Sequence, residues 1–140
     1  MRIIIAILLL LSLLPLADAQ EKEKWKRVIT FDESVVDLNV SQVSFGEGDI
    51  ARVKFRTTFS KLVPIRGGGN YKVLVEAMDF RCQERLYRLA EETFFDKKGT
   101  VIPMSGTPVS AEWKQVKSQG TMERLLAPAC DLIKEKRQYH

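Results

Sequence analysis

Acid–base and nucleophilic chemistry needs a histidine, an activated thiol or paired carboxylates held in a fixed frame, and this 140-residue chain has few such groups. Its one histidine is His140, the last residue, where no fixed geometry is expected; this argues against a Ser-His-Asp or Cys-His site and against a zinc site of the His/Cys type. Glu91 and Glu92 are adjacent carboxylates, but on a strand neighbours point to opposite faces and cannot share one substrate. Asp32, Glu33 and Asp37 carry oxygens for a cation, yet the alternating acidic loop with its glycine is missing and a turn is the simpler reading. Gly67-Gly68-Gly69 is not followed by Gly-Lys-Ser/Thr, so a phosphate loop is set aside. No enzyme activity, cofactor or metal is expected from these residues.

Cys82 and Cys130 are the only cysteines. They are not spaced as C-x-x-C, which removes the usual redox and metal readings, and in an exported chain two cysteines are expected to pair as a staple. In the loop-entropy model such a bridge stabilises the fold by about 4 kcal/mol.

The cations carry more functional content. Arg52, Lys54 and Arg56 alternate with Val53 and Phe55, so they fall on one face of a strand, with Arg85 or Arg88 as further candidates beside them. Like charges on alternate residues stand about 7 Å apart and repel, which suggests an anionic partner; the opposing reading is an ordinary solvated face whose lysines and arginines blunt aggregation. Replacing all three is expected to shift stability by no more than about 0.5 kcal/mol. Trp25, Trp113, Tyr71 and Tyr87 read as packing residues, and Asn39-Val40-Ser41 matches a glycosylation acceptor.

The elements that must position these groups follow from punctuation and period. Residues 1–19 open with Arg2, run apolar from Ile3 to Leu11 and close on Ala17-Asp18-Ala19, the pattern of a cleaved signal peptide; the apolar run falls short of the roughly 18 residues of a membrane span. About 120 residues remain, enough for one domain over 20–133, followed by a charged tail over 134–140. The net charge of +4 is interleaved with acids nearly everywhere, which excludes a nucleic-acid reading.

Trp25 to Phe31 alternates as an edge strand with Trp25, Arg27, Ile29 and Phe31 on one side, and Asp32-Glu33-Ser34 has turn chemistry. Val40 to Phe45 and Ile50 to Phe59 form a hairpin across Gly46-Glu47-Gly48-Asp49. Tyr71 to Phe95 is the apolar-rich centre; Val73, Val75 and Ala77, then Leu86, Arg88, Ala90 and Phe94, fit strands, while Met78, Cys82, Leu86, Leu89 and Thr93 fit a helix face, and periodicity leaves the two open. Asp96-Lys97-Lys98-Gly99 is a turn into a return strand at Val101 and Ile102, and Pro103 to Pro108 is a loop. A short C-terminal helix capped by Thr121 is expected, with Leu125, Leu126, Ala129, Cys130 and Ile133 at helical spacing and Pro128 as a kink.

Trp25, Cys82 with Arg85-Leu86-Tyr87-Arg88, Gly99, Trp113, Ser118 to Leu126 and Cys130 together resemble the bacterial surface-adhesin protein E family across nearly the whole chain after residue 19. The resemblance implies an α+β fold, an antiparallel sheet of about five to six strands with a C-terminal helix packed on one face and tied to it by Cys82 and Cys130. It implies strands through the central stretch. The chain departs from it in lacking a lipidation cysteine and a recognisable host-protein binding segment. The resulting expectation is an extracytoplasmic, non-enzymatic binding or adhesion-type domain meeting an extracellular protein or an anionic polysaccharide. A structural envelope component, or a periplasmic enzyme or inhibitor, is the alternative.

Overall fold

The computed structural model describes residues 22–103 and 112–140. The leader read over 1–19 and most of the loop read over Pro103 to Pro108 lie outside the described residues.

Among the described residues, eight strands and one helix follow in order: β1 (Trp25–Thr30), β2 (Ser34–Asn39), β3 (Ser44–Phe45), β4 (Ile50–Pro64), β5 (Asn70–Arg81), β6 (Leu86–Phe95), β7 (Val101–Ile102), β8 (Lys114–Gln115) and α1 (Thr121–Arg137). The sheet is antiparallel throughout, with the path β1-β2-β4-β5-β6-β7; β3 pairs with β4, and β8 with β6. The α+β expectation holds, and the central stretch resolves to two strands around the turn Cys82 to Arg85. Among the described residues, no helix is long and apolar enough to cross a membrane.

β4 and β5 are the spine. Ala51, Val53 and Phe55 stand opposite Phe80, Met78 and Glu76, and this side carries the core. Helix α1 seals it with Leu125, Leu126, Ala129, Leu132 and Ile133, an apolar stripe at helical spacing, against Ile29, Val36, Leu38 and Val116. Phe55 and Phe80 meet edge to face at 6.2 Å between centroids.

Several expectations need correction. Segment Ser34–Asn39 is a full strand, β2, and only Ser44–Phe45 of the expected strand from Val40 pairs with β4. β1 has a bulge between Arg27 and Ile29. Trp25 and Arg27 therefore lie on the face away from the helix while Ile29 enters the core, because one extra residue reverses the alternation. A second bulge in β6 sets Leu89 opposite Met78 and Glu91 opposite Ala77, leaving Ala90 as the extra residue. Leu86 and Arg88 consequently do not share a face with Phe94. Val73, Val75 and Ala77 pair with Thr58, Arg56 and Lys54 on the side away from the helix.

The helix is longer than expected and runs through Pro128 to Arg137, into the segment read as a tail. Its N-cap is Gly120, not Thr121, and no side chain caps it there. The Glu123 carboxylate instead accepts from the Gln119 backbone N–H at 2.6 Å and from Arg85 at 2.7 Å. Cys82 and Cys130 are bonded as a disulfide, with Cα atoms 5.8 Å apart. Arg85 and Cys82 thus tie one turn of the sheet to the helix at two points. Arg85 holds a left-handed φ of 54° to close that turn.

Candidate ligand-binding face

The sheet face away from α1 has no element of secondary structure laid over it among the described residues, and it is where the alternation in β4 sends Arg52, Lys54 and Arg56. The structure places all three on this face. Two of them, however, carry a buried counter-ion. Asp37 on β2 stands opposite Arg27 on one side and Arg56 on the other. Its carboxylate accepts from Arg27 Nε at 3.1 Å and from Arg56 Nη2 at 2.9 Å. Asp79 on β5 stands between Arg52 and Arg88 in the same way, accepting from Arg52 Nε at 2.7 Å and Nη2 at 3.2 Å and from Arg88 Nε at 2.9 Å. One arrangement thus appears twice: a buried aspartate on an inner strand, gripped by guanidiniums from the two strands beside it.

Each cluster also has an indole. Trp25 lies under the Arg56 guanidinium at 4.5 Å, and Trp113 meets Arg88 at 4.5 Å and Arg81 at 4.7 Å. The flat rings and the long arginine stems cover this side well enough that Asp79 is 2% exposed and Ala77 3%. Burial works against both carboxylates. The hydrogen bonds and charges of their arginines outweigh it, so Asp37 and Asp79 titrate below the ordinary aspartate range. With two guanidiniums to one carboxylate, the Asp37 cluster keeps a surplus positive charge, whereas at the Asp79 cluster Glu91, 3.8 Å from Arg52, offsets it; both clusters keep unspent N–H donors.

Lys54 lies between the two clusters and makes no ion pair among the described residues. Three buried polar atoms lack a partner among the described residues: Asn39 Nδ2, Arg56 Nε and Arg81 Nε. All three are donors on this face, which is short of acceptors. Next to Asp79, the β3–β4 turn and Arg52 border a groove of about 430 Å³.

Of the other candidates, Arg88 joins the Asp79 cluster while Arg85 turns to the helix and pairs with Glu123. Asp37 is claimed by arginines, and Glu33 pairs with Lys61, so the acidic trio does not assemble around a cation. Glu91 and Glu92 point to opposite faces. Glu91 comes within 3.8 Å of Arg52, while Glu92 stands opposite Glu76 on the helix side. Asn39 is fully buried, its Oδ1 accepting from the Ser41 backbone N–H at 3.0 Å and hydroxyl at 2.7 Å, so the acceptor sequence is sealed against a glycan.

Sequence reasoning missed Asp79 altogether, and it missed the counter-ion role of Asp37 and the pairing of Arg27 with it. A signal existed: each aspartate is the single charge inside an apolar run, Val35-Val36-Asp37-Leu38 and Ala77-Met78-Asp79-Phe80, and a carboxylate in that setting requires a cation from a neighbouring strand. Comparison with protein-family models, with curated proteins and with solved structures finds no match to this chain, so the likeness to the surface-adhesin protein E family rests on the residues quoted for it.

Proposed function

We propose that this chain is an exported, non-enzymatic binding or adhesion-type domain that works outside the cytoplasm and meets an anionic partner through its helix-free sheet face. The observation that carries the proposal is the repeated pair of arginines on one buried aspartate. Each carboxylate fixes its guanidiniums from below and each indole steadies one from the side, so the unspent donors are held in place before any ligand arrives and little side-chain freedom is lost on binding. The Cys82–Cys130 disulfide and the signal-like N-terminus are compatible with an extracytoplasmic location. The resemblance to the surface-adhesin protein E family supports the same reading.

The test reverses the charge of Lys54, which has no ion pair among the described residues to lose. On a sulfated matrix, Lys54→Glu should elute at clearly lower salt than the unaltered protein while its melting temperature stays the same. Equal elution of the two proteins, or no retention of either, overturns the proposal and leaves the arginine clusters as a device that holds strand register.

A further inference from the structure

The two arginine clusters are related by a simple offset in the sheet. Asp37 lies at the level of Arg56 and Asp79 at the level of Arg52, four residues along β4, and the aspartates sit on the strands flanking β4 on either side. At ordinary strand spacings this is about 13 Å along the sheet and about 10 Å across it, a diagonal of about 16 Å. Lys54 is at the midpoint, on β4 itself. The floor beneath that line is Ala77 on one side and the buried Asn39 on the other, with its unused Nδ2 donor.

We infer that the ligand is a linear acidic polysaccharide whose anionic groups occupy both arginine pairs at once, with Lys54 under the segment between them. This rests on the reading of the helix-free face as the binding face. Each seat offers an anion donors from two guanidiniums tied to one carboxylate; the Asp37 seat has one surplus positive charge, and at the Asp79 seat Glu91 offsets it. Seats about 16 Å apart cannot both be filled by one small anion, whereas a stiff chain with regularly repeated charges reaches both without new contacts. A single-stranded nucleic acid fits less well, because it would need free aromatic faces for its bases, and here Trp25 and Trp113 each have a guanidinium against the ring. Glu91, 3.8 Å from Arg52 and well exposed, and Glu47, which lines the groove beside Asp79, are acids at the Asp79 seat, so that seat is the less positive of the two.

The test is a size-graded series of sulfated oligosaccharides titrated into the full folded protein. Affinity should step up by ~10-fold or more once the oligosaccharide is long enough to span both seats, as the second contact becomes intramolecular. Arg27→Gln and Arg88→Gln each weaken one seat while leaving its aspartate a remaining arginine. Either change should abolish the step but keep the weak binding of short oligosaccharides. If affinity rises smoothly with length, or if the step survives both substitutions, the two-seat inference is overturned while an anion-binding face stands. If no oligosaccharide of any length binds, the proposed function falls as well. If single-stranded DNA of matched length binds as tightly, the polysaccharide assignment falls.

Discussion

At the residue scale, three carboxylates show how the same group acquires opposite behaviour. Asp37 and Asp79 are held below the ordinary aspartate range by their arginines, so the stability they contribute is present at neutral pH and is lost as pH falls through their depressed values. Glu76 is the reverse case. Burial, reinforced by Glu92 directly opposite, raises its pKa, so its contribution is complete below the ordinary glutamate value and is lost as pH rises through the raised one. The melting temperature should therefore rise as pH drops from neutrality toward the ordinary glutamate value, and fall again below the ordinary aspartate value. Glu76→Gln should remove the first rise and leave the acid limb in place; a wild-type curve flat between neutrality and mild acid would refute the assignment. Asp79→Asn should cost about 2–3 kcal/mol in denaturant unfolding, because two guanidiniums lose their shared counter-ion, whereas Lys54→Gln should stay within about 0.5 kcal/mol. Equal effects would mean that Asp79 is not holding its neighbours.

The strands record what was legible and what was not. β4 was readable because Ala51, Val53 and Phe55 alternate with cations for six residues without interruption, and the glycines at 46 and 48 punctuate its start. β2 was missed because its alternation, Val36-Asp37-Leu38-Asn39, is short and follows the adjacent pair Val35-Val36 and the turn residues Asp32-Glu33-Ser34. In β1 and β6 the alternation was present, but one inserted residue moved it to the other face, and nothing local in the sequence marks such an insertion. Ala90 offers a test. Deleting it places Leu89 next to Glu91, which already point to opposite faces, so every side chain of β6 keeps its side. The variant should remain folded at a cost of about 1–2 kcal/mol. Deleting Thr93 instead sends Phe94 and Phe95 to the wrong faces and should abolish cooperative unfolding; the opposite ranking would show that the bulge is misplaced.

At the scale of the molecule, the helix is joined to the sheet by burial and by a single covalent link. Replacing Cys82 and Cys130 with serine should lower stability by about 4 kcal/mol in the loop-entropy model, a large share of the total for one domain. Thiol titration of the unfolded, unreduced protein should find no free thiol; two reactive thiols would refute the pairing. At this scale the cysteine pair and the helical spacing after Gly120 were legible in the residues themselves, while the antiparallel sheet with its helix came as what the resemblance to the surface-adhesin protein E family implied. The counter-ions were not legible, since they depend on which strands become neighbours.

The turn that holds Cys82 is made well before the helix that holds Cys130, with a separation of 48 residues between them. Val53, Phe55, Met78 and Phe80 on β4 and β5 therefore precede in the chain the helix residues that cover them. A chain cut short before Cys130 should therefore have both a reactive thiol at Cys82 and an unsealed apolar sheet side, so thiol titration would distinguish it from the full chain.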